Sequence, residues 1–204
     1  MHPQTLRTRI KETVSTAILD AAEQVAAEVG LPTASLQGIA QRAGVSVGTI
    51  YNHFTDRNEL FEEVFARRRA ELLTTLDDAA RTTTPGGSFE TLLASFVRTV
   101  LFFFDSRRAF LRIALEGGVA KAQVSRSGQG AGPTSMEQLQ ARAERIVRAG
   151  LEEGRLRSDG AELFGPFLIA AVRAALMARV DSTLPLGDET ERVIGLFLRG
   201  AAAS

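Results

Sequence analysis

Between Ser35 and Phe54 the chain reads SLQGIAQRAGVSVGTIYNHF, and the spacing of its residues leaves it little conformational freedom. Two short helical stretches, Leu36 to Ala43 and Val47 to Phe54, flank Gly44-Val45-Ser46, with Ser35 and Ser46 placed as N-caps. Gly44 accepts the positive φ that so short a turn needs. Ala40, four residues earlier, is small enough for the second stretch to pack closely at the elbow. Ile39, Val45 and Ile50 fill the space between the two stretches, and Phe54 anchors the end. The polar residues then fall on the far side of the second stretch. This pattern is a helix-turn-helix.

The rest of the chain repeats the helical period and has no convincing strand. A first helix is expected over Thr8 to Val29, with Ile10, Val14, Ile18, Ala21, Val25 and Val29 as one buried stripe, stopped by Gly30 and Pro32. A long fourth helix opens with an Asp56–Glu59 capping pair and runs to about Arg81. TTTPGG at Thr82–Gly87 is the clearest break. Phe89 to Glu116 reads as two helices meeting near Asp105 and Ser106. Gly117 to Pro133, rich in Gly, Ser and Ala, reads as a loop. Ser135 to Glu153 is amphipathic. Asp159 to Asp181 is apolar nearly all round and is expected to be buried on more than one side. Pro166 either kinks that helix or starts it at its first turn. Glu189 to Ala203 is the last helix. The expected fold is all-α, with about nine helices. Its expected domains are a helix-turn-helix head over 1–56, a connecting helix over 57–82 and a helical domain over 88–204.

Composition sets looser bounds. With 204 residues the chain can bury a substantial core. It has no cysteine, hence no disulfide or thiolate metal site. No run of about 18 apolar residues predicts a membrane span, and the N-terminus has no signal-peptide pattern, so a cytoplasmic location is expected by default. Net charge is zero, which neither supports nor refutes nucleic-acid binding, because a local basic patch suffices. Only Lys11 and Lys121 among the 24 basic residues are lysine. Arginine suits phosphate forks, but an Arg- and Ala-rich chain is also what a GC-rich genome yields. No nucleophile–base pattern, paired metal ligands or cofactor loop is visible, so no enzyme, cofactor or metal is expected. Gly128, Gly130 and Gly132 follow no strand and do not make a phosphate loop.

The segment resembles the TetR (tetracycline-repressor) family of bacterial regulators. The matching residues are Ile39-Ala40, Arg42-Ala43-Gly44-Val45-Ser46, Gly48-Thr49-Ile50-Tyr51, His53-Phe54 and Asp56-Arg57-Asn58-Glu59-Leu60. The resemblance is specific from about Ile10 to Phe65, a third of the chain. Two positions depart from the family pattern. Gly38 stands where an acidic residue is usual, weakening the cap of the second helix. Arg57 stands where lysine is usual, which keeps the charge and should keep a phosphate contact.

The resemblance implies a DNA-binding transcriptional repressor that acts as a homodimer on a palindromic operator in double-stranded DNA and is released by a small effector. Ser46, Val47, Gly48, Thr49 and Asn52 would then lie nearest the bases in the major groove. Asn52 would suit adenine, Val47 and the Thr49 methyl would suit thymine methyls, and Gly48 would allow close backbone approach. Gln37 would meet phosphate or base, Arg57 would add a charge at the fourth helix, and Arg7, Arg9 and Lys11 would form a basic arm. Tyr51 either donates to a phosphate, as its position implies, or packs as a core aromatic. His53 is either a phosphate donor or a solvated residue. Arg67-Arg68-Arg69 reads better as a face ion-paired to Glu63 and Glu71 than as a nucleic-acid patch.

For the C-terminal part the resemblance implies dimerisation and effector binding. Ala171, Ala174 and Ala178 with Val193 and Phe197 are the candidate dimer face, since small residues let helices approach closely. Phe65, Phe96, Phe103, Phe110, Phe164, Phe167 and Met177 are either core or the lining of an apolar effector pocket. An activator of the same fold and a helix-turn-helix that binds protein instead of DNA are the alternatives.

Overall fold

The computed structural model describes residues 3–82, 87–124, 135–182 and 186–202, with the backbone alone at 3–5, 117–124 and 135–136. The described residues form α1 (Pro3–Val29), α2 (Leu36–Ala43), α3 (Val47–Tyr51), α4 (Arg57–Thr82), α5 (Phe89–Asp105), α6 (Arg108–Val124), α7 (Ser135–Glu152), α8 (Ala161–Arg179) and α9 (Glu189–Ala201). The all-α expectation holds. Three boundaries differ by more than two residues: α3 closes at Tyr51 rather than Phe54, and α1 and α6 are longer than expected. α1 begins at Pro3, so the basic residues Arg7, Arg9 and Lys11 lie on a helix. α6 continues through Gly117 and Gly118 to Val124, where a loop was expected; Ala120, Lys121, Ala122 and Gln123 are good helix formers and carry it past the glycines. The remainder of the expected loop lies outside the described residues.

The chain divides into two compact units, residues 1–70 with 109–126, and residues 71–108 with 127–204. The division falls within α4, and α6 packs with the N-terminal unit.

In the N-terminal unit Ile18, Ala21, Ala22, Val25 and Ala26 of α1 are buried, as are Ile39, Ala40, Ile50, Phe54, Leu60 and Val64, with α1 packed on α2 and α2 on α3. The expected α1 stripe is therefore only partly covered. Ile10 and Val29 are 55% and 50% exposed, because the helix outruns its partners at both ends. Arg67 and Arg68 reach across to α1: Arg67 Nη2 is 2.6 Å from Asp20 Oδ1, and Arg68 Nε is 2.7 Å from the buried Glu23 Oε2. Glu71 receives Arg107 at 3.2 Å, within the other unit.

In the C-terminal unit α7, α8 and α9 pack in sequence, with α5 against all three. Phe89, Leu93, Val97, Leu101, Leu168 and Phe197 are fully enclosed. An ion cluster around the buried Arg179 joins the ends of α5 and α8 to the start of α9. Arg179 donates to Glu189 Oε1 at 2.5 Å and to Asp105 Oδ1 at 3.0 Å, and Asp105 also receives Arg108 at 2.7 Å. Burial alone would lower the Arg179 pKa, but the hydrogen bond to Asp105 and the charge of Glu189 raise it overall. Pro166 lies inside α8, so the alternative in which it opens the helix does not hold.

α8 is the one described helix long and apolar enough to cross a membrane by length and composition, a feature not anticipated from the sequence. It is also less enclosed than expected: Leu163 and Met177 stand 62% and 53% exposed.

Gly150, in α7, sits where Leu156 and Phe89 press on the helix backbone. A Cβ there would lie 2.8 Å from Leu156 Cγ and from Phe89 Cδ2. Both side chains are buried and cannot retreat. Gly150→Ala is expected to destabilise the C-terminal unit by about 1–3 kcal/mol, as overpacking does. Urea unfolding followed by circular dichroism checks this, and an unchanged midpoint would refute the packing account.

Candidate nucleic-acid interface

The helix-turn-helix head is assembled by caps and close packing. Ser35 Oγ accepts the Gly38 N–H at 3.1 Å and opens α2, so the cap is made without an acidic residue at position 38. Gly44 ends α2 at φ 69, and its N–H and that of Val45 return to the Gln41 and Ala40 carbonyls. Arg42 reaches back to α1, donating to both carboxylate oxygens of Glu28 at 2.8 and 2.6 Å. That fork holds the Glu28 carboxyl below the usual carboxylate range. Ser46 Oγ accepts the Thr49 N–H at 3.0 Å and lies 2.9 Å from the Thr49 hydroxyl, opening α3. Ile50 is buried beneath α3, and Phe54 beyond it.

What remains outward is a polar face. Gln37, Ser46, Gly48, Tyr51 and Asn52 are exposed, while Val47, Thr49 and His53 are half-buried. Tyr51 is 56% exposed, so the core-aromatic alternative fails. The His53 ring lies tilted 6.2 Å from that of Phe54. Nothing inside the protein requires glycine at 48: a Cβ there would meet only Ser46 Oγ, at 3.6 Å. Ser46 and Thr49 spend part of their hydrogen-bonding capacity on each other.

Arg57 departs from the sequence expectation. Its guanidinium is turned inward, with Nε donating to the Ala34 carbonyl at 2.8 Å and Nη2 to the Leu31 carbonyl. It also lies over the Phe61 ring, 4.8 Å from the centroid. It is committed to the α1–α2 turn and does not extend as a free phosphate-seeking charge. A planar fork can span two carbonyls, a geometry a lysine ammonium does not supply.

The other expected sites come together only in part. Phe65 and Phe110 meet at 5.9 Å within the N-terminal unit. Phe96, Phe103 and Phe164 are buried core residues of the C-terminal unit. Neither described cavity is lined by any of these five. One cavity, of about 500 Å³, lies between the end of α4 and α5, beside Thr82, Glu90, Ser95 and Arg98. The other is an open groove of about 930 Å³ along α8 and α9. It is lined by Phe167, Ala171, Ala174, Ala178, Val193 and Leu196, among others. Of the expected dimer residues, Val193 forms its buried edge, but Phe197 is fully enclosed between Phe164 and Phe167 and is not available to a partner. Val193, Phe197 and Ala201 make the inward stripe of α9; Leu196, not picked out from the sequence, faces outward. Met177 is exposed and lines neither cavity.

The α4 N-terminus is closed by a reciprocal cap. Asp56 Oδ1 accepts the Glu59 N–H at 2.9 Å, and Glu59 accepts the Thr55 N–H and hydroxyl. Those bonds from Thr55 hold the Glu59 carboxyl below its ordinary range. A carboxyl lowered on folding stabilises the fold at neutral pH, and the stabilisation is lost as pH falls through the folded-state value. The head is therefore expected to melt lower on acidification, with a smaller pH dependence in Glu59→Ala. Tyr51 is the single tyrosine and there is no tryptophan, so tyrosine fluorescence reports the head alone. Identical pH dependence in the two proteins would remove Glu59 as its source.

Residues 18–64 match the family model described as bacterial regulatory proteins, tetR family. Over 53 residues the chain is 47% identical to the HTH-type transcriptional repressor BepR of Brucella suis, covering 26% of this chain and 25% of BepR. Over 67 residues it is 39% identical to the HTH-type transcriptional activator FasR of Mycolicibacterium smegmatis, covering 33% and 31%. The matched stretch thus spans less than a third of either relative. The solved structure of the ketosteroid transcriptional regulator KstR2 of Mycobacterium tuberculosis superposes with a TM-score of 0.70 at 21% identity. That superposition covers 93% of this chain and 95% of KstR2, and it speaks to fold alone. Residues 18–64 are thus similar to the tetR-family regulatory segment, and the chain shares the fold of KstR2 over nearly its whole length.

Proposed function

We propose that the protein is a transcriptional regulator that inserts α3 into the major groove of a palindromic operator and acts as a homodimeric repressor released by a small apolar effector. The observation that carries the DNA-binding reading is the open face of α3. Gly48, Tyr51 and Asn52 stand exposed there, and no internal packing calls for a glycine or a tyrosine. Asn52 is suited to adenine, Val47 and Thr49 to thymine methyls, and Tyr51 and His53 to phosphates. Gln37 and the helical arm bearing Arg7, Arg9 and Lys11 add backbone contacts that set position and salt dependence.

The homodimer is supported by the groove along α8 and α9, whose alanines admit close helix approach, and by the exposed Leu163, Phe167, Met177 and Leu196. A second copy covering this face would also account for the apolarity of α8. The effector would enter among the packed phenyl rings of the C-terminal unit, which must part to admit it. α4 runs from one compact unit into the other, so its displacement would move the two reading heads off half-sites about 34–36 Å apart. A coupling of about 1–3 kcal/mol would change operator affinity about 5- to 150-fold. The activator title of FasR favours a second reading, in which the same binding raises transcription. In both readings the protein is a cytoplasmic regulator without catalytic activity.

Asn52→Ala is expected to cost about 1–3 kcal/mol on the duplex that the parent protein selects from a random pool, leaving mixed-sequence binding and the salt slope intact. Lys11→Gln is expected to reduce the salt slope by about one and weaken all duplexes alike. Salt-titrated mobility shifts measure both, and an Asn52→Ala protein with parental selectivity would sink the base-reading role. For the dimer, Ala174→Glu places a charge in the groove and is expected to yield a folded monomer in sedimentation. A variant that stays dimeric would assign the interface elsewhere.

A further inference from the structure

The turn between α1 and α2 is held by side chains from two distant helices. Gly30 and Pro32 stop α1, leaving backbone groups that the turn's own bonds only partly satisfy. Thr33 and Ala34 N–H groups return to the Gly30 carbonyl at 3.2 Å. The Leu31 N–H donates to Glu116 Oε2 of α6 at 3.1 Å. The Leu31 carbonyl accepts from Arg57 Nη2, and the Ala34 carbonyl accepts from Arg57 Nε. At the end of α1, the Ala27 carbonyl accepts from Arg112 Nη1 at 3.3 Å. Leu31 is thus gripped by a carboxylate at its N–H and by a guanidinium at its carbonyl, and hydrogen bonds to charged groups are the stronger kind. The Arg57 fork is itself fixed over the buried Phe61 ring. Every residue of this clamp lies in the N-terminal unit.

We infer that Arg57 and Glu116 are positioning residues for DNA reading: they lock the Gly30–Ala34 turn and through it set the placement of α2 and α3. The inference rests on the DNA-binding reading above. Its physical content is the short path from clamp to reading face. Ala34 is buried, Ser35 opens α2 directly after it, and α2 passes to α3 through only Gly44, Val45 and Ser46. Little chain is available to absorb a shift of the turn, so loss of the clamp misplaces Asn52 relative to base edges without removing any phosphate contact. Arg57 acts here through the turn rather than at DNA.

The test uses the full chain with Arg57→Lys, Glu116→Ala and Glu116→Gln. Amide exchange at Leu31 is followed without DNA, and affinity is measured across salt for two duplexes. One duplex is that selected by the parent from a random pool; the other is of mixed sequence. Glu116→Ala is expected to speed Leu31 exchange and to weaken the selected duplex about fivefold, the scale of one net hydrogen bond, leaving mixed-sequence affinity unchanged. Glu116→Gln keeps an acceptor and is expected to restore both to within about twofold of the parent. Arg57→Lys keeps the charge but not the fork, and is expected to weaken the selected duplex about fivefold at unchanged salt slope. Parental affinity in Arg57→Lys would show a simple charge contact and overturn the inference. Unchanged Leu31 exchange in Glu116→Ala would overturn it equally. A parent that selects no duplex overturns the DNA-binding reading and the positioning role with it, while Leu31 exchange still reports the clamp by itself.

Discussion

A helix of five residues cannot sustain itself in water, because nucleating it costs more than its few hydrogen bonds return. α3 therefore exists through what it rests on. Ile50 is the anchor: it is buried within the head, while Tyr51 beside it is exposed and Thr49 half-buried. Ser46 closes the N-terminal end, and the Asn52 N–H returns to the Gly48 and Thr49 carbonyls at the other. With backbone and Ile50 thus occupied, Gly48 and Tyr51 stand exposed, while Val47 and Thr49 are half-buried and Thr49 also bonds Ser46. That separation of one buried position from an open polar face is what allows the reading face to vary without loss of the fold.

Features governed by local sequence were readable before the structure. The limits of α2, the two serine caps, the Gly44 turn and the meeting of α5 and α6 near Ser106 follow from capping, positive φ and periodicity, all of which act within a few residues. The partners of the arginines were not readable. Arg67 stands four residues from Glu63 and from Glu71 on its own helix, yet it donates to Asp20, and its neighbour Arg68 to Glu23, each more than forty positions away. Arg57 carries the charge expected of its position, yet two carbonyls of the turn between α1 and α2 claim it. Long side chains have a reach that sequence spacing does not limit, and buried backbone carbonyls compete for them with solvent and nucleic acid.

The apolar residues show the same limit in another form. Periodicity identifies which residues share a face but not how far the partner surface extends. α1 keeps its stripe from Leu6 to Val29, yet the covering helices meet only its middle. On α9 the stripe Val193, Phe197, Ala201 is turned inward, and Leu196, one step round the helix, stands 55% exposed. Choosing Phe197 as an interface residue followed its size; its enclosure between Phe164 and Phe167 follows from α8 crossing above it.

α8 makes the point sharpest. It is apolar on both sides, and a sequence of that kind has three physical outcomes: burial within one chain, insertion in lipid, or burial against another surface. The first fails in part, since Leu163, Phe167 and Met177 remain open. The second sits poorly with Arg179, which is held at the helix end by Asp105 and Glu189 in an ion cluster that a bilayer would have to strip of its surroundings. The third asks only for a surface of matching shape. An alanine-lined groove beside exposed large apolar side chains would supply both halves of such a match in the proposed homodimer, each copy offering the other the same patch.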